Sequence, residues 1–63
     1  MNDLLLIILK NGVKKLVPII KYYRYEGGAG HENYITYTKI NGVETTVHYD
    51  ELDYWRVFVG GKI

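Results

Sequence analysis

Short runs of β-branched, aromatic and aliphatic residues fill most of this chain, and glycine-containing turns separate them. Two Asn-Gly pairs set the pattern. Asn41-Gly42 divides the run Tyr-Ile-Thr-Tyr-Thr-Lys-Ile from Val-Glu-Thr-Thr-Val-His-Tyr, and both flanks are rich in residues that suit a pleated, half-buried surface. Asn-Gly between such flanks is the strongest local hairpin signal, because a type I′ turn needs positive φ at both central residues. A two-residue turn places Ile40 opposite Val43, Lys39 opposite Glu44, Thr36 opposite Val47 and Tyr34 opposite Tyr49. Lys39 facing Glu44 is a favourable cross-strand pair. The expected core face then carries Tyr34, Thr36, Thr38, Ile40, Val43, Thr45, Val47 and Tyr49, and the expected exposed face Ile35, Tyr37, Lys39, Glu44, Thr46 and His48.

Asn11-Gly12 divides the aliphatic run 4–9 from residues 13–20. The same rule puts Leu4, Leu6 and Ile8 on one face with Val17 and Ile19, and Leu5, Ile7 and Leu9 on the other with Leu16. Both faces of this first segment are apolar. Either it is a strand covered on both sides, or it is a helix that ends at Asn11-Gly12; the strand is the reading taken here. Pro18 then implies an edge position. Residues 26–33 hold three glycines within four positions and read as a surface loop. Asp50 is placed to cap one helical or 3₁₀ turn near 50–53, and residues 54–59 form a last strand with Trp55, Val57 and Val59 on one face and Tyr54, Arg56 and Phe58 on the other. The triplet Asn-Gly-Val recurs at a spacing of thirty residues with little else matching, which favours two independent hairpins over duplication. Five short strands with tight turns predict a mostly-β fold. The expected form is a small five-stranded antiparallel barrel or sandwich of SH3-like or OB-like kind, occupying residues 1–63 as one domain.

Composition narrows what such a fold can do. A chain of 63 residues buries only about 60% of the surface its unfolded form exposes. Small domains compensate with disulfides, metals or association. The absence of cysteine removes disulfides and thiolate-held metals. His31, Glu32, His48 and Asp50 are the metal-type donors that could converge, but their spacing matches no metal motif, and no metal or other cofactor is expected. There is no serine or cysteine for nucleophilic catalysis, and little room for a cleft, so no enzymatic activity is expected. The glycine loop lacks the Gly-Lys-Ser/Thr ending of a phosphate-binding loop. The six-residue apolar run is far shorter than the roughly 20 residues of a membrane helix, and it lacks the flanks of a signal peptide. A cytoplasmic protein with no membrane partner is the expectation. The size and composition fit a product of a virus, plasmid or other mobile element.

The net charge of +1 conceals an asymmetry. Residues 1–25 carry five basic side chains against Asp3, whereas residues 26–53 carry six acids against Lys39. Within the basic part, Lys21-Tyr22-Tyr23-Arg24-Tyr25 interleaves cations with aromatic rings, the composition that lets charges track phosphates while rings stack on bases. Nucleic-acid binding, to DNA or RNA, through Lys14, Lys15, Lys21, Tyr22, Tyr23, Arg24 and Tyr25 is therefore the first functional expectation. With five phosphate contacts the salt slope on a single strand would be about −3.5. A protein-interaction module is the alternative, an inhibitor or an assembly subunit that uses residues 50–53 or exposed aromatics. The two-faced first strand further predicts a homo-oligomer with Leu5, Ile7, Leu9, Tyr54 and Phe58 at the interface; a closed monomeric barrel would hide both faces instead. Basic residues gathered on one face beside exposed tyrosines would favour nucleic acid, and dispersed ones beside a bare apolar patch would favour a protein partner.

Overall fold

A computed structural model of the chain describes residues 2–29 and 32–63. Five strands form one antiparallel sheet: β1 (Asp3–Leu9), β2 (Lys14–Tyr25), β3 (Tyr34–Lys39), β4 (Glu44–His48) and β5 (Leu52–Phe58). The order across the sheet is β4-β3-β2-β1-β5. Residues 4–9 are thus extended rather than helical, and β1 lies between β2 and β5.

The expected closure into a barrel is not found. β4 and β5 are the two edges of an open sheet. β4 is only five residues long, and a 3₁₀ turn, Tyr49–Glu51, takes the chain directly from it into β5 at the far edge. Asp50 lies within that turn instead of capping it; His48 precedes the turn, and no side chain caps it. A second 3₁₀ turn, Val59–Gly61, takes up Val59, which was expected in the last strand. The Gly60 N–H donates to Asp3 Oδ1 at 2.8 Å, tying this end to the start of β1.

Turn chemistry accounts for the largest correction. In both connections the asparagine keeps a negative φ and only the glycine is left-handed, Gly12 at +91° and Gly42 at +89°. The Gly12 N–H donates to the Leu9 carbonyl at 2.9 Å, and the Leu9 N–H to the Val13 carbonyl at 2.8 Å. Gly42, Lys39 and Val43 repeat this arrangement. The Asn11 side-chain carbonyl accepts from the Val13 N–H at 3.0 Å, and Asn41 does the same for Val43 at 3.1 Å. That side-chain bond holds asparagine in the ordinary backbone region and adds a residue to the loop, giving the three-residue form that ends on a left-handed glycine. It also explains why Asn-Gly-Val recurs.

One extra loop residue slips the register by one, and in a strand that exchanges the faces. Tyr34 pairs with His48, Ile35 with Val47 and Tyr37 with Thr45. Ile35 and Tyr37, expected to be exposed, are among the most buried residues of the chain, whereas Tyr34 and Thr36 lie opposite. On β4 the expected inward residues Thr45 and Val47 do face inward. In the first hairpin Leu5 pairs with Val17 and Ile7 with Lys15, so Leu5, Ile7, Val17 and Ile19 share the core side and Leu4, Leu6 and Ile8 face out.

The core consists of Leu5, Ile7, Ile19, Ile35, Tyr37 and Leu52, with Val17, Val47, Tyr49, Trp55 and Val57 packed against it. β2 serves both halves of the sheet. Residues 14–19 pair with β1, residues 19–25 pair with β3, and the register shifts between Ile19 and Lys21. β2 is an interior strand and not the edge that Pro18 implied; Pro18 lies just past the last β2–β3 pair, Ile19 with Lys39, so its missing N–H costs no ladder bond on that side. The irregularity leaves Ile20 exposed and resets the alternation, so Tyr22 and Arg24 come to the inner side and Lys21, Tyr23 and Tyr25 to the outer.

Candidate functional site

The seven expected nucleic-acid contacts all lie on β2, but the strand does not present them together. Lys14 and Lys15 are opposite Ile8 and Ile7 at the turn end of the first hairpin. Lys21, Tyr23 and Tyr25 lie opposite Thr38, Thr36 and Tyr34 on the outer face, whereas Tyr22 and Arg24 lie opposite the buried Tyr37 and Ile35. Alternation alone divides the segment into two groups, and the groups have different surroundings.

The outer group joins an aromatic cluster. The rings of Tyr25 and Tyr34 are stacked with centroids 5.7 Å apart, Tyr23 is 6.5 Å from Tyr34, and His48 meets Tyr34 edge-on at 5.9 Å. Tyr23 is 61% exposed. Beside it, a shallow groove of about 230 Å³ is lined by Lys21, Thr36, Thr38 and Glu44, and the Thr36 and Thr46 hydroxyls are bonded at 2.8 Å. One acid balances the one lysine in this groove. Tyr34 and His48 were missing from the expected site, because the two-residue register had placed Tyr34 against Tyr49.

The inner group meets Trp55 from β5. Tyr22 approaches the Trp55 ring edge-on at 5.9 Å, and the Arg24 guanidinium lies 5.9 Å from the Trp55 ring centre. Arg24 Nε also pairs with Glu26 Oε1 at 3.3 Å. The Tyr49 hydroxyl donates to Glu26 Oε2 at 3.1 Å and accepts from Trp55 Nε1–H at 3.2 Å. Burial raises the Tyr49 phenol above its ordinary value; the Trp55 donor lowers it, while the Glu26 carboxylate raises it further. On the other side, an open cleft of about 300 Å³ is lined by Tyr49, Leu52, Asp53, Tyr54 and Trp55. Tyr22, Arg24, Glu26, Tyr49 and Trp55 come together only through the fold.

Comparison with protein-family models, curated proteins and solved structures finds no match to this chain.

The third region is aliphatic. Leu4 lies between Pro18 and Phe58, Leu6 between Leu16 and Arg56, and Ile8 between Lys14 and Tyr54. Leu16 and Tyr54 are 49% and 46% exposed, and Arg56 covers the Phe58 ring at 5.1 Å. This changes the expected interface. Leu5 and Ile7 are fully buried inside their own chain, which closes them to a partner, and Leu9 is partly buried beside them; Tyr54 and Phe58 do lie with the outward set. Leu4, Leu6 and Ile8 take the outward side instead, as the same register slip requires. Among the described residues no three His, Asp or Glu side chains gather in a way that could hold a metal ion, and His31 lies outside the described residues. Among the described residues no helix is long and apolar enough to cross a membrane.

Proposed function

We propose that this chain is a small, non-enzymatic protein-association module that covers the outer face of β1 with a second copy of itself. The carrying observation is the aliphatic outer side of a central strand: Leu4, Leu6 and Ile8 lie there partly exposed, with Leu16, Pro18 and Phe58 alongside and Lys14 and Arg56 among the flanking residues. Such a surface on a soluble domain marks an interaction site. A second copy is the occupant because the domain needs one. Its buried hydrophobic core is six residues, and the chain has no cysteine to staple it. Two identical aliphatic faces are self-complementary about a two-fold axis, and pairing them adds apolar burial that one chain lacks. The strand order β4-β3-β2-β1-β5, with a 3₁₀ turn before the last strand, supports an SH3-like reading of the architecture in an open form.

A second reading keeps nucleic acid as the partner, favoured by the stacked Tyr25–Tyr34 pair beside exposed Tyr23 and Lys21. It carries less weight because Arg24 is engaged with Glu26 and the other expected lysines are at the far end of β2. Sedimentation equilibrium at micromolar concentration tests both. The wild type is expected at dimer mass and Leu6→Glu at monomer mass with its sheet intact. A monomeric wild type overturns the proposal, and a labelled oligonucleotide that sediments with that monomer favours the second reading.

A further inference from the structure

We infer that the Trp55 face is a binding site for a planar or methylated organic cation, and that Arg24 is its built-in occupant. The parts are already arranged. The Trp55 ring supplies the negative π-face, and Tyr22 stands edge-on to it at 5.9 Å. Glu26 supplies the counter-charge, and its carboxylate is held in place by the Tyr49 hydroxyl, which is fixed in turn by Trp55 Nε1–H. A guanidinium over the indole with a carboxylate beside it is the arrangement this chemistry selects, and the chain places its own guanidinium there.

The resident cation is loosely held. The Arg24 side chain is 59% exposed and that of Glu26 is 50% exposed, so the pair is screened by water and contributes little to stability. The Arg24 guanidinium can therefore swing out and leave the ring and carboxylate to an arginine or methylated lysine side chain offered by a partner. While it stays, it competes at the high effective concentration of a tethered group, and the apparent affinity for an outside cation falls by the fraction of time the site is empty. This site lies apart from the aliphatic face of β1 and does not depend on association there.

Trp55 is the only tryptophan of the chain, so its emission reports on this site directly. Methylguanidinium and tetramethylammonium are titrated separately into wild type, Arg24→Ala, Arg24→Gln and Arg24→Ala/Glu26→Gln, with circular dichroism confirming a folded sheet in each. Both single variants are expected to bind about two- to fivefold more tightly than wild type, and the double variant to lose that gain. Equal affinity in wild type and the single variants overturns the inference. So does the absence of a saturable change in folded Arg24→Gln, or a double variant that binds as tightly as Arg24→Ala.

Discussion

β1 and β3 hold equivalent places in the sheet, each with a neighbour on both sides, yet they finish their outer faces differently. Inward they are alike: β1 contributes Leu5 and Ile7, and β3 contributes Ile35 and Tyr37, all nearly inaccessible to water. Outward, β3 places Tyr34, Thr36 and the buried Thr38, and a hydroxyl pair links Thr36 to Thr46 across the strands. That face carries hydroxyls where β1 carries only hydrocarbon. β1 presents Leu4, Leu6 and Ile8, which have no polar atom beyond the backbone and stay partly exposed between their neighbours. The inner faces build one fold; the outer faces differ in chemistry, hydroxyl-bearing on β3 and aliphatic on β1. A strand apolar on both sides is the signature of a sheet covered on both sides, and under the proposed association a second copy supplies the outer cover.

The largest effect expected is one that treats the two strands as equals. Leu5→Ala and Ile35→Ala each remove a fully buried aliphatic side chain, and each should cost about 2–5 kcal/mol in urea unfolding. Domains of this size have little stability to spare, so either variant should be largely unfolded at 37 °C. A loss below about 1 kcal/mol for Ile35→Ala, typical of surface substitutions, would return Ile35 to the outside and dissolve the comparison.

How much of this could be read from the chain depends on which strand is asked. The five strands, the glycine loop and the turn near residue 50 follow from runs of β-prone residues and their breakers. The register does not, because Asn-Gly suits both a two-residue and a three-residue loop, and the choice rests on where the asparagine carbonyl bonds. The resulting slip had opposite consequences on the two strands of one hairpin: Val47 kept its expected side and Ile35 lost it. On β1 no pattern was available, since residues 4–9 are aliphatic throughout. The irregularity at Ile20 was also hidden, and it is what splits Lys21, Tyr23 and Tyr25 from Tyr22 and Arg24. The basic-aromatic segment was visible as a segment. Its division between a tyrosine face and a tryptophan site was not, because Glu26, Tyr49 and Trp55 are distant in sequence and meet only once the sheet has formed.

A smaller effect tests whether the two hairpins share one turn geometry. Gly12→Ala and Gly42→Ala place a Cβ where nothing lies within 4 Å, so neither meets a clash. Each does force a left-handed residue, at a cost of about 1–2 kcal/mol. The two losses in urea midpoint should match within about 0.5 kcal/mol, the usual scatter of independent sites. If Gly42→Ala were harmless while Gly12→Ala was not, the hairpins would differ in turn type, and the faces of β1 and β3 would have to be argued separately.

The smallest effect concerns the residue that ties the β3–β4 half to β5. The Tyr49 N–H donates to the Asn33 carbonyl at 2.9 Å, while its hydroxyl reaches Glu26 and Trp55. Burial, more than any other influence, holds its phenol above the ordinary value of 10.0. A raised acid binds its proton more tightly in the folded chain, so its contribution is fully present below pH 10 and is lost as pH rises through the folded-state value. Above pH 10 the unfolded phenol ionises first, which draws the equilibrium toward unfolding. Tyr49→Phe removes this ionisation along with both hydrogen bonds, so it should be less stable at neutral pH by about 1 kcal/mol. Its deficit should then narrow as the wild type loses stability in alkali. Urea midpoints of both proteins measured from pH 8 to pH 11.5 check this: converging curves place Tyr49 at the join between the two halves, and parallel curves show that folding does not raise its phenol.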